Sequence, residues 1–180
     1  MSIDAIRPFD IAEYLRVRGA ASKVRANREK ALFSTIFNHA RAWGYADITN
    51  PCIGIKGYKE KSRDRYMSDD EYAAVWACTH PTVQDAMDLA LCTGQRPADV
   101  LKFNVTDIAD GCLSLTQNKT GKNLRIAIDS ELEEVIDRIL AKPRDKVNKA
   151  LSQDPDGQRL SYFALRSRFD KARKTAGLNF

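Results

Sequence analysis

Between residues 105 and 128 the apolar pattern changes period, and that change confines the chain to a mixed fold. Leu113, Leu115 and Gln117 share one face of an alternating run, and Leu124, Ile126 and Ile128 share one face of the next. A two-residue period belongs to strands with one covered face. Asp110-Gly111 lies between residues 105–109 and 112–117, where a left-handed two-residue turn closes a hairpin. The second connection, 118–123, reads Asn-Lys-Thr-Gly-Lys-Asn. Three short antiparallel strands follow from this. The fold class expected is α+β and mostly α, because the flanking sequence has a helical period.

Helices are predicted on both sides of the sheet. Residues 10–18 form a short amphipathic helix closed by Gly19. Residues 22–43 place Leu32, Phe33, Ile36, Phe37, Ala40 and Trp43 on one side and Lys23, Asn27, Lys30, Ser34, Asn38 and Arg41 on another. That second stripe carries cations and no acid. Gly44 stops the helix, Asn50-Pro51 marks an extended stretch, and residues 54–65 look like an exposed linker. Ser68 and Glu71 have capping-box spacing. A helix over 82–93 with Val83, Met87, Ala90 and Leu91 on one face ends at Gly94, and Pro97 opens a short one. Ser130 caps a helix to Ala141, and Ser161 starts a last helix ending at Gly177.

Charge divides the chain in the same way. The formal balance is +6 over residues 1–65, −8 over 66–137 and +7 over 138–180, within a net charge of +5. Two units with different surfaces are expected. Hydrophobic residues at 43% with 29% charged exclude wholesale disorder. No apolar run approaches the roughly 20 residues that span a bilayer, and residues 1–10 lack the apolar stretch of a signal peptide. A cytoplasmic chain without membrane partners is expected. Cys52, Cys78, Cys92 and Cys112 form no CxxC pair, and His39 and His80 add no zinc-ligand spacing. A metal cofactor is not expected.

Two places can carry chemistry. In Thr93-Gly94-Gln95-Arg96-Pro97-Ala98-Asp99, the glycine permits a sharp break and Pro97 holds Arg96 extended before the next helix. An anion shared by the guanidinium and the helix amides, such as a phosphate, would suit a cation placed there. Asp99 could steady the guanidinium, or the two could form a plain local ion pair. Lys119, in the second turn, can reach beyond its sheet to bind a phosphate or protonate a leaving oxygen. Polar turns also favour such residues without function, and Lys122 fits that reading better.

Taken in order, these motifs resemble the phage-integrase branch of the tyrosine recombinases. The resemblance rests on T-G-x-R-x-x-D/E at 93–99, a hairpin, and Lys119-Thr120-Gly121 some 23 residues after the arginine. It extends back through Ala26-Asn27-Arg28, Phe37-Asn38-His39-Ala40-Arg41-Ala42-Trp43-Gly44, Asn50-Pro51 and Arg65-Tyr66-Met67-Ser68-Asp69-Asp70-Glu71. The resemblance implies a helical core-binding domain over 1–58, a linker over 59–66, and over 67–180 the first part of a catalytic domain. It implies Arg96 as a catalytic arginine, Asp99 as its acidic support and Lys119 as the catalytic hairpin lysine. Members of that family join DNA strands through a phosphotyrosine without metal or nucleotide. Double-stranded DNA and self-association on DNA are therefore the implied partners, with no small-molecule substrate. Lys23, Asn27, Lys30 and Arg41, with Lys61, Arg63, Arg65 and Lys122, are the implied DNA contacts.

The family's His-x-x-Arg box and nucleophilic tyrosine have no counterpart among these residues. The expectation is an integrase fragment, inactive alone, with no nucleophile or second arginine assigned. A non-catalytic module occupying recombination sites is the alternative. A helical interaction protein without nucleic-acid contacts would leave the basic stripe and Arg96 unexplained.

Overall fold

The computed structural model describes residues 2–62 and 64–179. It divides into two compact units, Met1–Arg65 and Tyr66–Phe180.

The first unit is a helical hairpin with a strap. Helix α1 (Pro8–Ala21) starts with proline at its first position and an Asp10 carboxylate that accepts the Arg7 amide at 2.8 Å. Ser22 separates it from α2 (Lys23–Ala42) and caps the latter through the Arg25 amide. Ile11, Leu15 and Gly19, one helical turn apart, are the buried positions of α1; Ala26, Phe37 and Ala40 are those of α2. Contrary to expectation, α1 runs through Gly19. A Cβ there would lie 2.3 Å from the Tyr58 ring, so this glycine serves a close approach rather than a stop. The apolar stripe of α2 is only partly covered: Leu32, Ile36 and Trp43 remain 61%, 51% and 70% exposed.

Residues 50–60 are bound to α2 and are not a free linker. Asn50 is buried and donates to the Ser34 carbonyl, the Ser34 hydroxyl and Asn38 Oδ1. Asn27 pairs with the Tyr58 backbone in both directions, at 2.8 Å each, and donates to Glu60 at 2.7 Å. Gly57 lets the strap pass, because a Cβ would meet Asn27 Oδ1 at 2.6 Å.

The second unit surrounds the sheet with helices. The Ser68–Glu71 capping box opens α3 (Asp69–Ala77). Helix α4 (Pro81–Thr93) ends at Gly94 with φ 64°, and the single turn α5 (Pro97–Val100) follows. Residues 105–107 form a 3-10 turn, not strand, because Asn104 and Asp107 bond each other and the Val105 amide goes to the Lys149 carbonyl. Strand β1 is therefore only Ile108–Ala109; β2 is Cys112–Thr116 and β3 is Asn123–Ala127. Their order is β1-β2-β3, antiparallel throughout, with Leu113 opposite Ile126 and Leu115 opposite Leu124. Asp110 and Gly111, at φ 51° and 68°, make the tight turn. Asp129, rather than Ser130, caps α6 (Ser130–Ala141) by accepting the Leu132 amide. Ser161 caps α7 (Tyr162–Thr175).

The core of this unit gathers Val83 and Leu89 of α4, Phe103, Leu113 of β2, Leu132 and Ile136 of α6, and Leu165 of α7. Leu91, expected on the covered face of α4, is 67% exposed. Beside the core, Asp85 of α4 receives Lys142 at 2.6 Å and Arg138 at 3.3 Å. Asp88 receives Arg138 at 2.5 Å, the Tyr72 hydroxyl at 2.6 Å and the Trp76 indole at 3.0 Å. Burial first, then the Asp88 carboxylate, pushes the Tyr72 phenol well above its ordinary value. This network ties α3, α4 and α6 together. No helix among the described residues is long and apolar enough to cross a membrane.

Candidate functional site

The α4–α5 break and the β2–β3 turn meet through side chains. At the break, the Thr93 hydroxyl donates to the Leu89 carbonyl at 2.5 Å and accepts the Gln95 amide. Gly94 then reverses the chain, and Arg96 is extended at φ −66°, ψ 147° before Pro97. Its side chain is exposed.

Asp99, fully buried, turns away from the role expected of it. Among the described residues no carboxylate pairs with Arg96. Asp99 Oδ1 instead accepts the Asn118 backbone amide at 2.8 Å, and Oδ2 is buried without a hydrogen-bond partner. The physical reason is burial: Asp99 is fully buried on α5, and a buried carboxylate takes a backbone donor within its reach. The acid steadies the lysine turn rather than the arginine.

The α5 amides also differ from expectation. Asp99 and Val100 donate their N–H groups to the Arg96 carbonyl at 2.8 and 2.9 Å, and proline has none. Of the α5 residues this leaves only Ala98 with an N–H not given to the Arg96 carbonyl, and the exposed Arg96 guanidinium supplies the charge.

A second strut lies beside the first. Thr120 donates its hydroxyl to Gln117 Oε1 at 2.7 Å, Gln117 Nε2 donates to Gln95 Oε1 at 2.8 Å, and Gln95 Nε2 donates to the Thr93 carbonyl at 3.1 Å. The neighbours of Lys119 on both sides are thus tied to neighbours of Arg96. Lys119 and Lys122 are exposed on this turn, and Gly121, at φ 66°, closes it by donating to the Gln117 carbonyl. An exposed guanidinium and an exposed ammonium thus stand on two segments bonded to each other, one a rigid donor fork and the other a movable point charge. Sequence reasoning did not single out Gln95 and Gln117. The sequence signals were adjacency to Arg96 for Gln95, and for Gln117 its place beside the turn on the face it shares with Leu113 and Leu115.

The candidate contacts of the first unit fall into groups. Asn27 and Lys30 have their polar groups taken by the strap, Lys30 donating to the Ile55 carbonyl. Lys23 stands 5.7 Å from the Tyr58 ring centroid with its side chain otherwise exposed, and Arg41, Lys61 and Arg65 are exposed. Arg63 lies outside the described residues.

A groove of about 440 Å³ in the second unit is lined by Met67, Tyr72, Met87, Leu91, Tyr162 and Phe169. Its lining is mostly apolar, with Arg166 its one charged side chain. Among the described residues, no group of three or more metal-ligating side chains is gathered.

A model of the phage integrase family matches residues 64–180. The integrase of Escherichia phage HK022 is 30% identical over 156 residues, which cover 81% of this chain and 42% of that protein. The integrase of Escherichia phage lambda is 28% identical over 190 residues, covering 99% of this chain and 52% of that one. The chain thus spans about half the length of the curated relatives it matches. Among solved structures, a lambda integrase dimer bound to a COC′ core site aligns with a TM-score of 0.87 at 25% identity, covering 99% of this chain and 68% of that chain.

Proposed function

The chain belongs to the phage integrase family, and from that membership we propose that it binds duplex DNA and contributes part of a site-specific recombinase's phosphodiester site. The observation that carries this reading is the double brace between the Arg96 and Lys119 segments. Arg96 offers its guanidinium to the non-bridging oxygens of a DNA phosphate and stabilises the charge that gathers on them in the pentacoordinate transition state. Lys119 donates a proton to the departing 5′-oxygen. The attacking tyrosine oxygen and further catalytic groups belong to the whole recombinase; no residue of this chain is given the nucleophile's role. The hydroxyls of Tyr14, Tyr58 and Tyr72 are already donated to Glu29, the Leu15 carbonyl and Asp88.

The first unit adds phosphate contacts through Lys23 and Arg41, continued by Lys61, Arg63 and Arg65, with Lys122 beside the catalytic turn. Asn27 and Lys30 act there by holding the strap. Self-association on DNA is part of the same proposal and follows the dimeric form of the lambda relative. The site of action is the cytoplasm of a bacterial host.

Phosphate contacts release counterions, so affinity for duplex DNA falls with salt. Fluorescence anisotropy of a labelled duplex, titrated from low to moderate salt, tests the reading. A steep loss of affinity is expected, and Arg96→Ala and Lys119→Ala each lower the logarithmic slope by about one. Binding indifferent to salt, or slopes unchanged by both substitutions, contradicts the proposal.

A further inference from the structure

The geometry points to Gln95 and Gln117 as positioning residues that set the Lys119 turn against the Arg96 segment through a hydrogen-bond chain of fixed direction. That they position a phosphate-contacting lysine rests on the function proposed above; that they fix the turn does not.

The direction follows from the ends of the chain. The Thr93 carbonyl can only accept, so Gln95 must turn its NH2 group toward it. Gln95 then presents its oxygen to Gln117, which must supply its own NH2 group. Gln117 is left with an oxygen facing Thr120, whose hydroxyl has to donate. That hydroxyl oxygen still receives the Lys122 amide at 3.4 Å. The reverse orientation would set the Gln95 oxygen against a carbonyl oxygen. Within the chain each member therefore has one satisfied arrangement, and the half-buried Gln95 and Gln117 give it partial shelter from competing water.

This chain complements the Asp99–Asn118 bond. Asp99 holds the turn by its backbone at Asn118, and the glutamine relay holds it at Gln117, whose side chain also takes the Thr120 hydroxyl from the other side of Lys119. Two adjacent attachments, at Asn118 and Gln117, hold the turn more firmly than either alone, and Thr120 closes the turn onto the second of them. The first attachment starts on α5 and the second on the α4–α5 break, so both refer the turn to the segment that carries Arg96. A lysine has rotatable freedom of its own, and bracing its backbone is how the scaffold limits where its ammonium can go.

The test combines two readouts on this chain. Amide hydrogen exchange by NMR, as protection factors at Asn118 and Gly121, is compared for the parent, Gln95→Leu and Gln117→Leu. Each substitution is expected to speed exchange at the turn about tenfold while leaving the α6 amides as in the parent. Duplex affinity is then measured in a cycle of Gln95→Leu with Lys119→Ala. The expected result is non-additive, because Lys119→Ala costs little more once the brace is gone. Turn protection unchanged in both leucine variants overturns the inference, and so do fully additive losses of affinity. Should Lys119→Ala leave duplex affinity at the parent value, the functional reading fails, and the exchange data still decide whether the glutamines fix the turn.

Discussion

Gly19→Ala is the substitution for which local propensity and tertiary packing predict opposite signs. In an exposed helix interior this change stabilises by about 0.5–1 kcal/mol, because alanine has less backbone freedom to lose. At Gly19 the new methyl carbon would lie 2.3 Å from Cε2 and 2.4 Å from the hydroxyl oxygen of Tyr58. The ring cannot stay. Its hydroxyl donates to the Leu15 carbonyl at 3.0 Å, and Lys23 stands over its face. Swinging it away forfeits that hydrogen bond, about 1 kcal/mol, and the ring's partial burial and cation contact, about 1–2 kcal/mol more. The sum exceeds the helix gain, and a net destabilisation of about 1–2 kcal/mol is expected. The two tryptophans fall one to each unit, Trp43 and Trp76. Urea titration of 5-fluorotryptophan-labelled protein by fluorine NMR therefore reads the first unit separately. In a Tyr58→Ala background the sign must invert, with Gly19→Ala stabilising by about 0.5–1 kcal/mol. A stabilising Gly19→Ala in the parent would show that Tyr58 does not oppose a side chain at this position.

Three further outcomes follow from the same contacts. Tyr72→Phe removes the 2.6 Å bond to Asp88 and should cost about 1 kcal/mol in the second unit, read from the Trp76 signal in urea. Asp85→Ala leaves Lys142 and Arg138 without their shared carboxylate; because both cations are partly exposed and can rehydrate, the loss should be about 2–3 kcal/mol rather than more. Glu29 is held below the ordinary carboxylate value, first by Arg18 and then by the Tyr14 hydroxyl, so the folded form takes up its proton less readily than the unfolded one. Its stabilisation is complete above the unfolded value of 4.5 and is lost as pH falls through the lower folded value. Urea midpoints of the parent and Glu29→Gln should differ at neutral pH and converge in acid; a gap that widens in acid would be the wrong sign.

The features legible in the sequence are those whose cause is local. The Ser68–Glu71 box, the left-handed stop at Gly94, the Asp110-Gly111 turn and the shared face of Leu113 and Ile126 each depend on residues within one turn or one hairpin. What escaped depends on a partner distant in sequence. Gly19 has the composition of a helix stop, yet Tyr58 decides its role. The stripe of Lys23, Asn27, Lys30, Ser34, Asn38 and Arg41 was periodic and polar for a reason the period cannot show. Its middle members satisfy the backbone and side chains of a strap that has no strand or helix to bond with. Asp99 illustrates the same limit at the site. Spacing places it one turn from Arg96, while burial hands it to the Asn118 amide, 19 residues along the chain.

The central claim is that Arg96 and Lys119 meet one DNA phosphate from two braced segments. Its most direct test is a titration of labelled protein with a duplex, followed by nitrogen-15 amide NMR at residues 94–99 and 118–121. Both segments should shift along one binding curve, and Arg96→Ala should weaken the response of the lysine turn together with its own. Shifts confined to one segment, or two curves with separate midpoints, would contradict it.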